Sequence, residues 1–273
     1  MSTTAQGLSR NEANDRSRGR GRPWLSDDGV PYPHDQPNYY DPARHAFVAR
    51  VEAQWTVIRD ELLAAIAEDR RMQEFKAYED LEKTNKTAAW KTAGLMYWTM
   101  KSRKNIDKFP KTWEVFKDIP DLSSCSLHLL EPRGTIKEHI GDTDAMMRCH
   151  MGLIVPAGLP RCGFRVEQES IAWEEGKVFI FNDACAHTAW NNTEHDRYVI
   201  SFDIMRPEFA RRRFWVAAQV LGKIQIEVLY QHVPWLRKYA SANWIRDLLI
   251  VGCKLFWRAK IAVRHHVFGG RPS

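Results

Sequence analysis

Lys177-Val178-Phe179-Ile180-Phe181 stops at Asn182-Asp183, and Tyr198-Val199-Ile200-Ser201-Phe202-Asp203-Ile204 stops at Arg206-Pro207. Short runs of β-branched and aromatic residues closed by turn formers read as strands. Similar runs lie upstream: Ser126-Leu127-His128-Leu129-Leu130 before Glu131-Pro132, Met151-Gly152-Leu153-Ile154-Val155 before Pro156, and the short Gly163 to Val166. Together they predict an antiparallel sandwich or jelly roll over residues 119–207.

Outward from this core the pattern turns helical. Asp41-Pro42 suits an N-cap and first helical position. Val48, Val51, Trp55, Ile58, Leu62 and Ile66 follow at spacings of three and four, which makes one apolar stripe. Residues 86–101, rich in Trp, Ala and Met, read as a further helical or loop layer, so residues 41–118 form a helical flank. Beyond Pro207, helices are expected from Glu208 to about Leu221 and from Asn243 to about Val263, within residues 208–273. Residues 1–40 read as a disordered arm, because Arg16-Ser17-Arg18-Gly19-Arg20-Gly21-Arg22-Pro23 has nothing to bury and Pro31, Pro33 and Pro37 oppose helix. The expected class is mainly β with flanking helices.

The 273 residues are 44% hydrophobic and 11% aromatic, which excludes wholesale disorder. A net charge of +6 and a pI of about 9.1 suit an anionic substrate, a nucleic acid or an acidic membrane surface without choosing among them. No recognition helix or paired stacking motif accompanies the basic arm, so no nucleic-acid partner is expected. The five cysteines, Cys125, Cys149, Cys162, Cys185 and Cys253, include no C-x-x-C pair. That argues against a disulfide scaffold or a structural zinc, and for reduced thiols in the cytoplasm. The first residues carry no apolar signal segment, and the apolar run Leu248 to Cys253 is cut by Lys254. Further on, Lys254, Arg258, Lys260 and Arg264 interleave with Leu255, Phe256, Trp257 and Ile261. Such a segment either lies peripherally on an anionic membrane or packs on the barrel with its basic face in water.

The chemistry concentrates in the β-rich region. His139 follows the first strand and its turn, and His187 lies near the end of a later β-rich segment, just past Asn182-Asp183; two neutral imidazoles on a rigid β scaffold can bind a transition metal. Arg148 and His150 alternate on one strand and share a face. Arg197 opens the last strand, and a buried guanidinium needs an anion such as a carboxylate. Spacing alone favours reading the two histidines as surface or hydrogen-bonded groups, and Arg148 and Arg197 can be a structural ion pair at a sheet edge.

Taken in order, several blocks resemble the aspartyl/asparaginyl β-hydroxylase family. They are His139-Ile140-Gly141, Arg148-Cys149-His150 through Pro156, Trp173-Glu174-Glu175-Gly176-Lys177-Val178, Phe181-Asn182-Asp183, then His187, Trp190, Arg197 and Arg206-Pro207-Glu208. The likeness covers roughly residues 120–208, and a weaker one reaches the Trp55-Thr56-Val57-Ile58-Arg59 helix.

The resemblance implies a double-stranded β-helix oxygenase that uses Fe(II), 2-oxoglutarate and O2. It would hydroxylate an unactivated C–H bond and release succinate and CO2. It implies His139 and His187 as iron ligands, Arg148 and His150 as cosubstrate-side residues, and Arg197 as partner of the distal carboxylate. The family's serine on the first strand falls at His128 here, a departure that Ser126 on the same face could offset. Gly141 stands where other iron oxygenases hold a carboxylate. Asp142 is one residue out of register, which on a strand turns it to the opposite face and favours a two-histidine site. A loop at Gly141 could bring Asp142 back as a third ligand, and a carboxylate installed at 141 is expected still to bind metal. The implied substrates are a small molecule, a peptidyl residue or a lipid chain. A non-catalytic jelly-roll binding module and a basic nucleic-acid-binding protein are the alternatives.

Overall fold

The computed structural model describes residues 21–68, 76–77, 84–85, 89–233, 235–236 and 243–267. Among the described residues twelve strands run in chain order: β1 Tyr39–Tyr40, β2 Lys76–Ala77, β3 Trp90–Tyr97, β4 Met100–Lys101, β5 Leu122–Leu130, β6 Gly134–His139, β7 Met146–Ile154, β8 Cys162–Val166, β9 Glu169–Ile171, β10 Val178–Phe181, β11 His187–Asn191 and β12 Arg197–Met205. The helices are α1 Ala46–Glu52, α2 Trp55–Glu68, α3 Arg103–Ile106, α4 Pro110–Phe116, α5 Arg213–His232 and α6 Asn243–Val267. An eight-stranded sheet has the order β1-β10-β7-β12-β5-β3-β2, with β4 on β3, and a four-stranded sheet has the order β6-β11-β8-β9. The named strand pairs are all antiparallel. This is a mainly β fold with flanking helices, a double-stranded β-helix of the jelly-roll kind.

The period of two along a strand explains why both faces of the large sheet are covered. On β12, Tyr198, Ile200, Phe202 and Ile204 enter one buried cluster, joined there by Cys149 and Met151 of β7 and by Val48, Ile58, Leu62 and Phe116 of the helices. Val199 on the opposite face joins a second cluster, with Leu130 and Phe181 of the large sheet and Ile136, Phe164 and Ala189 of the small one. The polar side chains of the strands share that second face, so the site lies between the sheets. A third cluster, including Leu25, Met146, Met205, Val216, Leu221 and Ile261, seats α5 and α6 at one end.

Several expectations are corrected. Residues 90–97 are a strand within the large sheet, so the 41–118 flank is not purely helical. Ala93 and Leu95 face the helices, and a register shift at Gly94/Met96 breaks the alternation that would have revealed it. The expected stripe from Val48 to Ile66 is two helices, α1 and α2, with Asp41 capping a short 3₁₀ turn through Ala43 N at 3.0 Å. The arm ends before residue 40. Trp24 and Leu25 are buried, Trp24 N donates to Asp144 Oδ1 at 2.7 Å, and Leu25 bridges to Thr143. The arginine- and glycine-rich stretch up to residue 20 lies outside the described residues. After Pro207 a 3₁₀ turn, Pro207–Arg212, precedes α5, which runs past the expected end at Leu221 to His232.

Candidate active site

β6 and β11 are hydrogen-bonded neighbours, and their register pairs His139 directly with His187. The two rings lie 4.2 Å apart between centroids. Each Nδ1 is tied to a backbone carbonyl two residues back: His139 to Lys137 O at 2.8 Å and His187 to Cys185 O at 2.9 Å. An imidazole that donates its Nδ1–H to a carbonyl presents its Nε2 lone pair, the usual way a histidine is prepared for a metal. His187 is buried.

Beside this pair sits Asp183, from the turn between β10 and β11. Its Oδ1 lies 3.5 Å from His187 Nε2 and 2.6 Å from Arg148 Nη1. Gly141 makes room for it. A Cβ built at 141 would fall 1.9 Å from Asp183 Oδ2, and Gly141 N donates to Asp183 O at 2.7 Å. A side chain at 141 would therefore have to displace the Asp183 carboxylate. Asp142 is held elsewhere: its Oδ1 accepts from Lys223 Nζ at 2.7 Å and from Ser26 Oγ at 3.3 Å.

The cavity has a volume of about 1280 Å3 and is lined by His139, His187, Asp183, Arg148, His150, Arg197, Ser126 and His128, among others. All eight sequence-derived residues line it, Asp142 included. Cross-strand register stacks the polar residues of the large sheet in rows on one of its faces. Asp203 pairs with Arg148 and Ser124, Ser201 with His150 and Ser126, and Val199 with His128. Arg148 donates from Nε to Asp203 Oδ1 at 2.7 Å, which saturates it together with Asp183. Burial alone would pull its pKa down, but the two aspartates outweigh that and raise it.

Arg197 has no such company. It is 2% exposed, and its Nε and Nη1 have no hydrogen-bond partner among the described residues. Its guanidinium lies 4.2 Å from the Trp173 ring centroid. Burial lowers its pKa to about 10. His150 Nδ1 and Trp173 Nε1 are likewise buried without a partner. His128 accepts from Trp90 Nε1 through Nδ1 at 3.1 Å, and burial, then Arg148 and Arg197, lowers its pKa to about 3. Burial, then His128 and both arginines, also pushes His150 well below the usual range. Both histidines stay neutral beside Arg197. Buried donors without acceptors are costly, so this end of the cavity is complementary to an anion with oxygens to offer. An iron at the histidines and a dicarboxylate reaching Arg197 fit this donor set.

A model of the aspartyl/asparaginyl β-hydroxylases matches residues 52–207. The chain belongs to this family. It is 32% identical over 220 residues to an ornithine lipid ester-linked acyl 2-hydroxylase from Rhizobium tropici, covering 77% of each chain. It is 29% identical over 166 residues to the human aspartyl/asparaginyl β-hydroxylase, covering 59% of this chain and 21% of that protein. Among solved structures, a Pseudomonas putida prolyl-4-hydroxylase aligns over 61% of this chain and 95% of its own with a TM-score of 0.39 and 13% identity.

Within this family member, sequence reading missed Asp183, Asp203 and Trp173. Asp183 enters the sequence reading as a turn former and, like Trp173, as part of a family block without a role of its own. A different group, His34, Glu167 and Cys185, brings three donor atoms within 4.8 Å of one another. It includes neither His139 nor His187, although the Cys185 backbone carbonyl meets His187; His34 is largely exposed and Glu167 Oε1 already accepts from Ala186 N at 2.9 Å.

Proposed function

We propose that this chain is an Fe(II)- and 2-oxoglutarate-dependent hydroxylase that acts on the acyl chain of a lipid. The observation that carries the reading is Arg197, a buried guanidinium with two nitrogens unsatisfied, on the same cavity as a prepared pair of histidines. The lipid substrate is supported by the Rhizobium relative, which the chain matches over 77% of both lengths. It is also supported by apolar side chains at the cavity, Ile140, Ile224 and Val228.

In this reading His139 and His187 hold iron through Nε2. Arg197 binds the distal carboxylate of 2-oxoglutarate, with His150 Nδ1 and Trp173 Nε1 as further donors nearby. When bound, iron with 2-oxoglutarate and O2 supplies the oxidising power to insert one oxygen atom into a C–H bond, the other entering succinate as CO2 leaves. The chain's own contribution is position and charge. Carbonyls at Lys137 and Cys185 fix the histidine tautomers. Arg148, itself anchored by Asp203, pins Asp183 beside His187, where its carboxylate can accept a hydrogen bond from a water. Residue 141 has no carboxylate to offer and Asp142 is held by Lys223 and Ser26, so His139 and His187 would be the residues that hold the metal, with Asp183 beside them. Phe164, Trp173 and Phe181 shield the inner end from bulk water.

The test is to incubate the purified chain with Fe(II), 2-oxoglutarate and a lipid bearing an ester-linked acyl chain. Mass spectrometry should find a gain of one oxygen on that chain with stoichiometric succinate, and both should vanish in His139→Ala and His187→Ala proteins that remain folded. Full 2-oxoglutarate turnover by either variant would overturn the assignment.

A further inference from the structure

α6 is seated by one side only. Ile261 is buried against α5, Lys254 Nζ reaches Asp27 Oδ2 at 2.7 Å, and Gly222 of α5 lies so close that a Cβ there would stand 2.9 Å from Lys254 N. The opposite side has no partner among the described residues. At 100° per residue, Trp244, Leu248, Val251, Leu255, Phe256 and Val263 fall within an arc of roughly 140° pointing away from α5. Trp244 is 70% exposed, Leu248 66% and Leu255 58%. None of the charged residues of the helix falls inside this arc. Arg258 borders one edge and Lys260 the other, where its Nζ sits 4.3 Å from the Trp257 ring centroid. Asp247 is the acidic residue of the helix, and it is paired with Arg246 at 3.3 Å.

We infer that this face docks on the surface of an anionic lipid bilayer, with the apolar arc entering the acyl boundary and the basic rim at the headgroups. An apolar face this continuous is costly in water and marks an interaction site. Its charge pattern selects the occupant. A basic rim complements an anionic surface, whereas a second copy would set like-charged rims against each other. No helix of the described residues is long and apolar enough to cross a membrane, so α6 lies on the bilayer and does not span it. The docked helix pair also borders the cavity: Ile224, Glu227, Val228 and Gln231 of α5 line it. An acyl chain leaving the bilayer beside α5 would therefore have a short path to the histidines. That delivery rests on the acyl-hydroxylase reading, and the docking itself does not.

The experiment is co-sedimentation of the full chain with phosphatidylglycerol vesicles and, separately, phosphatidylcholine vesicles, without 2-oxoglutarate. Phosphatidylglycerol should capture the chain at least tenfold better, with the preference shrinking in high salt. Leu248→Gln/Leu255→Gln should lose at least tenfold of that binding, and Arg258→Gln/Lys260→Gln should lose the preference between lipids. Circular dichroism and succinate formation from 2-oxoglutarate should stay at the wild-type level in both variants. Absence of vesicle binding in wild type, or full binding by the leucine variant, would overturn the inference while leaving the hydroxylase reading intact. So would a wild-type dimer that the leucine variant converts to monomer.

Discussion

Two arginines point from the same sheet face into one cavity and meet opposite surroundings. Arg148 is held by Asp183 at 2.6 Å and by Asp203 at 2.7 Å. Arg197, one strand over and more deeply buried, has Nε and Nη1 unmatched by any described residue and an aromatic ring for a neighbour. The first arrangement is complete without a ligand. The second leaves buried donors unmatched. On the proposed reading, the ion network at one end keeps the site in shape and the unmatched cation at the other binds the cosubstrate.

That contrast is broken most sharply by matched substitutions. Arg148→Met strands two aspartates that are 2% and 5% exposed. Losing one partner of a buried pair typically costs about 3–5 kcal/mol, so the melting temperature should drop by many degrees. Arg197→Met keeps the volume and removes an unpaired charge, so stability without ligand should change by at most about 1 kcal/mol. Equal destabilisation in thermal melts of the two would erase the distinction.

Gly141→Ala comes next. The new Cβ would collide with the Asp183 carboxylate and with Asp183 O, displacing the group beside His187. Turnover should fall by about tenfold to a hundredfold while 2-oxoglutarate affinity at Arg197 is retained, because a displacement near 1 Å at the reacting centre is costly. Steady-state kinetics separate the two: an unchanged kcat would mean that Asp183 is idle.

The pH dependence concerns the neutral histidines between the arginines. His128, with a folded pKa of about 3, and His150, also lowered, take up protons in the unfolded chain below about pH 6.5 and not in the native one. The unfolded state then binds more protons, so stability should fall as pH drops from about 6.5 toward 3. Denaturant melts across that window should show the slope, and His128→Gln should reduce it.

The smallest effect is expected for Asp142→Ala. Its partner Lys223 is on the cavity rim, and a part-exposed pair contributes about 0–1 kcal/mol. Iron content should be unchanged, as measured by metal analysis. Loss of iron in a folded protein would make Asp142 a ligand.

Legibility followed what is local. β5, β7, β8, β10 and β12 alternate or run apolar, so period and turn residues located them, whereas β6, β9 and β11 carry no such run. Arg148 and His150, two apart on a strand, were seen to share a face for the same reason. Asp183 was invisible as a functional group because Asn182-Asp183 reads as a turn and its importance arises from Gly141, 42 residues earlier in the chain, where the two backbones touch. β3 was lost because Gly94 and a register shift interrupt its period. Trp24 and Leu25 were lost because basic and glycine-rich neighbours mask two anchors whose partners, Asp144 and Thr143, are far away in sequence. The outward face of α6 was hidden differently. Its interleaved charges are legible, but which side α5 covers is a tertiary fact.

The most direct measurement is calorimetric titration of 2-oxoglutarate into the metal-loaded chain and into its Arg197→Met variant. Losing the charge-assisted carboxylate contact should cost about 3 kcal/mol, raising Kd by roughly a factor of 10², with metal content and melting temperature unchanged. An equal Kd in the two proteins would contradict the account, and Arg197 would then be a structural residue without a ligand.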